Sequence, residues 1–263
     1  MAAAAFSRQS VIFDNLYAPN TIVTYKRERV RAHVNRYILP GSRVLELNAG
    51  TGEDATWFAR SGHTVHATDV SDGMQQVLTK KVRAARLPHR ITNEICSFTQ
   101  LHQLQNKGPY DYIFSNFAGL NCTGELDKVI QSLEPLLKPG GVATLVILPS
   151  FCLWETLLLI RGKFKTAFRR WFSKQGVQAH LEGVYFPCWY YNPAYVRKAA
   201  KNKFEVLSVE GLCTVVPPSY LEGFAEKHPR LYRLFRKWEM QVRFSRPWRS
   251  IGDYYIISLR KPA

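Results

Sequence analysis

Residues Val44 to Ala55, VLELNAGTGEDA, run from an apolar strand through a turn of small residues into the start of a helix. Small residues in such a turn let the backbone approach a ligand closely, and the helix start offers N–H groups that have no partner within the helix. Asp69 follows Gly52 by seventeen residues and closes a second apolar strand. A carboxylate there can accept both hydroxyl hydrogens of a ribose. The glycine turn and the second-strand acid together read as a site for an adenosine-containing cofactor at the carboxyl ends of parallel strands. Glu46 lies inside the first strand, just before the turn. An anionic pyrophosphate would be repelled there, whereas the ammonium of a methionine moiety would not.

The elements that must position these residues alternate along the chain. Apolar strands are expected at 43–47, 64–68, 91–95, 110–115 and 142–148, and helices at 53–61, 72–86 and 124–137. Strands alternating with helices imply right-handed crossovers and a parallel sheet covered on both faces. Beyond residue 149 the rhythm changes. Residues 192–203 read as helix, 204–216 as extended chain and 219–244 as helix. A final strand at 253–259 arrives late, as an antiparallel last strand would. The chain divides into an N-terminal helical cap (1–40), a cofactor-binding core (41–149), a cap or lid insertion (150–190), and a segment completing the sheet (191–263) with a helical insertion at about 219–248.

Composition narrows the class. The chain has 263 residues, 46% of them hydrophobic and 21% charged, which supports a packed core and excludes wholesale disorder. Its five cysteines are scattered and never paired as C-x-x-C, which argues against a disulfide scaffold or a zinc site and for a reducing compartment. No basic stretch leads into an apolar run at the N-terminus, so no secretory signal is expected and a cytoplasmic location follows. The 142–160 stretch approaches the length of a membrane span. Pro149 and Glu155 interrupt it, so strand, turn and amphipathic helix is the better parse. The net charge of +16 is uneven: residues 1–149 carry 16 basic and 12 acidic side chains, and residues 150–263 carry 20 and 8. That gradient points to an anionic partner for the C-terminal half.

Gly50-Thr-Gly52-Glu-Asp-Ala55 also fits the dinucleotide pattern G-x-G-x-x-A, so an NAD(P)-dependent oxidoreductase is a competing reading. Glu46, the Leu-Lys-Pro-Gly-Gly turn at 137–141 and the late final strand weigh against it. With the 45–52, 67–74 and 110–116 segments, these features make residues 41–149 resemble the core of class I S-adenosylmethionine-dependent methyltransferases, similar to the quinone-biosynthesis type. The resemblance implies an α/β, Rossmann-like, seven-stranded, mostly parallel sheet with an antiparallel last strand, an N-terminal helical cap and an α-helical insertion after the fifth strand. It implies S-adenosyl-L-methionine as cofactor and methyl transfer to a small or lipid-like acceptor, with no metal. Position by position, it puts Glu46 near the methionine amino end, over a floor of Asn48, Gly50 and Gly52. Asp69 would bind the ribose, Val70 and Met74 the adenine face, and Ser97 and Phe98 its edge. Asn116 and Phe117 would face the sulfonium and the acceptor. Asn48 stands where the family usually has glycine, and asparagine tolerates positive φ better than other side chains. Cys96-Ser97 replaces a common acid after the third strand.

The flanks supply further candidates. A tyrosine of the N-terminal cap, Tyr17 or Tyr25, would close the cofactor site. The aromatic run 184–191 would line an apolar acceptor pocket through Tyr185, Tyr190 and Tyr191, and these with His180 are the candidates for a base. Residues 153–174 form a basic amphipathic segment, with Lys163, Lys165, Arg169 and Arg170 on one face, suited to a lid or to peripheral docking on a membrane. A second basic stretch, 227–249, has eight basic residues and one acid. Nucleic acid is disfavoured as a partner, because the aromatics there fall at helical, core-facing spacing. A non-catalytic membrane or nucleic-acid binding module is the third reading.

Overall fold

Strand β1 (Arg43–Leu47) turns Leu45 and Leu47 to one side of a sheet and Val44 and Glu46 to the other, and this alternation sets the whole architecture. The computed structural model describes residues 2–17, 19–171, 175–221 and 223–263, apart from the side chains of Tyr17 and Arg161. Its sheet contains β1, β2 (Thr64–Asp69), β3 (Ile91–Ile95), β4 (Tyr110–Ser115), β5 (Leu137–Ile147), β8 (Glu205–Leu212) and β9 (Tyr254–Arg260). The spatial order is β3-β2-β1-β4-β5-β9-β8. The first five are parallel, while β9 runs antiparallel to both its neighbours. This is the mixed, Rossmann-like sheet that the sequence implies. The remaining strands, β6 (Val177–Leu181) and β7 (Val184–Cys188), form a separate hairpin.

Each face of the sheet has its own core. Leu45, Leu47, Ile113, Leu145 and Ile257 pack against α5 (Leu126–Leu133) and α8 (Pro193–Ala200). Val44, Tyr112, Phe114, Val146 and Ile256 pack against α2 (Thr21–Val34), α3 (Glu53–Arg60) and α4 (Asp72–Ala84). Helix starts are fixed by side chains. Asn20 accepts from the Ile22 and Val23 N–H groups at α2, and the Ser71 hydroxyl accepts from Met74 N at α4. The N-terminal helix α1 (Ala2–Tyr17) lies against α4 and β7, with Ser7 bonded to Ser71 and Asp72.

Several expected elements change. β5 begins at Leu137 and absorbs the Leu-Lys-Pro-Gly-Gly turn. The helix expected at 219–244 is two helices, α9 (Phe224–Lys227) and α10 (Pro229–Val242), because Pro229 cannot continue a preceding helix but suits a first turn. The 153–174 segment is not one amphipathic helix. α6 (Leu153–Leu157) passes through a 3₁₀ turn to Gly162 at φ +69°, and a separate α7 (Phe164–Phe168) follows. Lys174 lies outside the described residues. The apolar run from 142 enters β5 rather than a membrane span, and among the described residues no helix is long and apolar enough to cross a membrane.

Candidate active site

A cavity of about 550 Å³ opens at the carboxyl ends of β1, β2 and β4. Its floor is the sequence between β1 and α3, where Asn48 and Gly50 both take left-handed φ, +45° and +55°. Asn48 carries this conformation as an asparagine can, and its side chain ties two loops together. Its Nδ2 donates to the Asn116 carbonyl at 2.9 Å, and its Oδ1 accepts from the Ser115 hydroxyl at 2.6 Å.

Asp69 points into this floor. Its Oδ2 accepts from the Gly50 backbone N–H at 2.9 Å and its Oδ1 from Ser71 N–H at 2.8 Å. Burial raises its pKa, and hydrogen bonds from the backbone of Ser71, Gly50 and Val70 oppose that rise. Glu46 is 3% exposed, and its Oε2 has no hydrogen-bond partner among the described residues. Burial, and then the charge of Asp54, push its carboxyl well above the ordinary value. A buried carboxyl oxygen without a partner on a cavity wall is open to a hydrogen bond from a ligand.

Beside Glu46 stands a group that the sequence does not single out. Asp54, in the first turn of α3, binds Arg27 Nη1 at 3.1 Å and Arg31 Nη2 at 3.1 Å, both from α2, and accepts from Asn116 Nδ2 at 2.7 Å. The Arg27 guanidinium lies 5.1 Å from the centre of the Phe117 ring and on the cavity wall. The only trace of this arrangement in the sequence is the basic run 26–31, which reads equally as a solvated helix face. Thr51 donates to Asp14 of α1 at 2.6 Å, so the cap is latched to the floor.

The cavity wall gathers Glu46, Asn48, Gly50, Asp69, Val70, Met74, Ser97, Phe98, Asn116 and Phe117. Gly52 is not part of it. Gly52 begins α3 at φ +77°, and a Cβ there would meet Leu78 Cγ at 2.7 Å, so its role is close helix packing. Tyr185, Tyr190, Tyr191 and His180 also lie off the wall. On β7 successive side chains face opposite ways, so Phe186 faces the cavity while Tyr185 stands 61% exposed against His180. Tyr190 lies under Arg170, and the Tyr191 hydroxyl donates to the Thr123 carbonyl. The Tyr17 side chain lies outside the described residues, and Tyr25 is buried against Tyr232. The roof comes instead from Phe6 and Phe13 of α1 and from Phe186 and Pro187 of β7. The 153–171 segment contributes no wall residue, so α6 and α7 are not the lid. Cys122 is on the wall, but burial lifts its thiol to about 12, which leaves it a poor nucleophile.

Arg169 and Arg170, expected on a solvent face, are engaged elsewhere. Both bind Glu155, and Arg170, 2% exposed, also reaches Asp253 at 2.9 Å. Lys26 closes the network on the other oxygen of Asp253 at 2.9 Å. Cys152, Glu155 and Asp253 come close enough together to hold a metal ion, but the two carboxylates are already neutralised by these three cations.

Residues 44–141 match the protein-family model described as a methyltransferase domain. The match places residues 44–141 in a methyltransferase domain, and the sheet order and the cavity at its strand ends agree with that fold. Among curated relatives, an uncharacterized methyltransferase of Synechocystis is 29% identical over 136 residues, covering 50% of this chain and 60% of the relative. The ubiquinone/menaquinone biosynthesis C-methyltransferase UbiE of Vibrio vulnificus is 32% identical over 109 residues, 39% of each chain. The chain thus spans less than two thirds of either relative. Among solved structures, a putative S-adenosylmethionine-dependent methyltransferase from Listeria monocytogenes superposes with a TM-score of 0.62 at 16% identity, covering 88% of this chain and 96% of that one.

Proposed function

We propose that the protein transfers the methyl group of S-adenosylmethionine to a small, apolar acceptor. The observation that carries this reading is the Asp69 carboxylate joined to the Gly50 N–H on the floor of a cavity whose other buried acid, Glu46, keeps an oxygen without a partner. When bound, the cofactor supplies a methyl group already activated on a sulfonium.

The chain's own residues would then bind, orient and shield. Asp69 holds the ribose hydroxyls with the lone pairs left free by Gly50 and Ser71. Glu46 takes the amino-acid ammonium, and Arg27, a cation on the same wall, takes the carboxylate. Val70, Met74 and Phe98 flank the adenine, with Ser97 at its edge. Asn116, held by Asp54, and Phe117 at φ +47° fix the wall beside the reacting atoms. The Phe6, Phe13, Phe186 and Pro187 roof keeps water out and favours an acceptor with an apolar body, of the kind that the name of the UbiE relative implies for that protein. Five free cysteines fit work in the reducing cytoplasm.

The test is a thermal-shift titration with S-adenosylhomocysteine, NAD and NADP in parallel. Stabilisation by S-adenosylhomocysteine alone is the expected result. A shift with NAD or NADP and none with S-adenosylhomocysteine would return the glycine turn to the dinucleotide reading. Mass spectrometry of small molecules carried through purification then identifies the acceptor.

A further inference from the structure

A basic surface lies on α10, none of whose residues lines the cavity. Leu231, Leu234 and Trp238 fall on one stripe of this helix at 40, 58 and 46% exposure. Arg230, Arg233 and Lys237 form an exposed ridge directly beside the stripe. Between Lys227 and Arg249 the one acid is Glu239, and it is withdrawn from the surface. It is 1% exposed, and its carboxylate accepts the backbone N–H groups of Cys213, Thr214, Val215 and Val216. On the opposite flank, Arg236 pairs with Glu28. The stripe side of the helix therefore presents apolar and cationic groups with no negative charge of its own.

α6 touches this helix through one aromatic pair. Trp154 of α6 lies against Phe235 of α10 with ring centres 6.3 Å apart. From α6 the chain runs on through Ile160, 84% exposed, to Phe164, 62% exposed, with Lys163 and Lys165 exposed around them. The break at Gly162 and the burial of Arg170 rule out one long docking helix, so the docking surface is argued from α10 alone.

We propose that the α10 stripe and ridge dock on the surface of a bilayer containing anionic phospholipid. Charge selects this occupant. A second copy of the chain would set one cationic ridge against another across a symmetric contact. Nucleic acid would engage the ridge but has no use for exposed Leu231 and Leu234, since bases stack on aromatic faces. A bilayer uses both: leucine and tryptophan enter the boundary between headgroup and acyl chain, and the arginines meet the phosphates. The inference does not rest on methyl transfer, and its test reads binding rather than turnover.

The test is sedimentation of the full chain with vesicles of phosphatidylcholine mixed with phosphatidylglycerol, against phosphatidylcholine alone, at low and high salt. The expected result is binding to the mixed vesicles only, released by salt. Arg230→Gln/Arg233→Gln/Lys237→Gln should weaken it about a hundredfold, from roughly 1 kcal/mol for each basic group near the surface. Leu231→Ser/Leu234→Ser keeps every charge and should weaken it about tenfold through lost apolar burial. A charge-matched control elsewhere, Lys80→Gln/Arg83→Gln/Lys201→Gln, should bind like the parent, and circular dichroism checks that each variant is folded. The proposal is overturned if the parent does not sediment with mixed vesicles or if the control loses as much as the ridge variant. It is overturned too if the leucine variant binds undiminished, since the ridge would then be a general polyanion contact of the kind RNA also satisfies.

Discussion

The Asp69 carboxylate and the Gly50 backbone N–H are 2.9 Å apart, so the end of β2 and the loop after β1 are one unit before any ligand arrives. With Ser71 N–H on its other oxygen, Asp69 fixes the glycine loop and the entry to α4 together. Asp69→Ala should therefore act twice. It should lower S-adenosylhomocysteine affinity ten- to a hundredfold, as expected for losing charge-assisted hydrogen bonds of about 1.5–3 kcal/mol. It should also lower the melting temperature of the free protein. Calorimetric titration and thermal denaturation read the two effects separately, and unchanged affinity in a folded variant would mean that the ribose is held elsewhere.

Glu46 gives the pocket a proton signature. Burial and Asp54 raise its pKa well above 4.5 in the free protein, so the group holds its proton to higher pH than an ordinary carboxyl. In the absence of ligand it opposes folding as pH rises from the unfolded value towards the folded one, because only the unfolded chain releases its proton there. An ammonium placed beside it reverses the preference and expels the proton. S-adenosylhomocysteine should thus bind more tightly as pH rises through this window. Its heat of binding should vary with the ionisation enthalpy of the buffer. Glu46→Gln should abolish that variation and reduce affinity about tenfold. A buffer-independent heat in the parent protein would remove Glu46 from the ammonium site.

Two glycines of one motif have different roles. Gly50 and Gly52 both have positive φ, but a Cβ on Gly50 meets nothing within 4 Å, whereas one on Gly52 would strike Leu78. Gly50→Ala should cost about 1–2 kcal/mol of backbone strain. Gly52→Ala should cost about 3 kcal/mol or more, because overpacking adds to strain. Urea denaturation orders the two, and equal losses would mean that Leu78 yields freely.

That distinction marks how far the sequence could be read. The strands and helices from 43 to 147 are legible because period, turn residues and caps are local signals. The cavity wall is legible for the same reason where a residue ends a strand, as Asp69 does, whereas Asn116, just after β4, is legible through the family resemblance. Which way a side chain faces is a matter of register, and that is why the hairpin offers Phe186 rather than Tyr185. Arg27 is invisible because its partner Asp54 comes to it only when α2 docks on the sheet. Basic runs mislead most. Arg170 reads as a surface charge until the fold brings it Asp253, 83 residues away in sequence.

The Glu155–Arg170–Asp253–Lys26 network joins α6, the stretch after α7, the residue that leads into β9, and α2, and its carboxylates set a pH dependence. Burial pushes Glu155 up, but hydrogen bonds from Arg169 and the charge of Arg170 outweigh it, and its pKa falls below 4.5. Burial likewise raises Asp253, and the charges of Lys26 and Arg170 outweigh it, so it falls below 3.8. A depressed carboxylate contributes stability that is present above its unfolded pKa and lost as pH falls through its folded one. Glu155→Gln leaves Arg170 buried with one anion fewer and should destabilise by about 3 kcal/mol at neutral pH. Because the parent's advantage comes from the ionised carboxylate, the gap in melting temperature between parent and variant should close as pH is lowered below 4.5. A gap that stays constant on acidification would show that Glu155 acts through packing rather than charge.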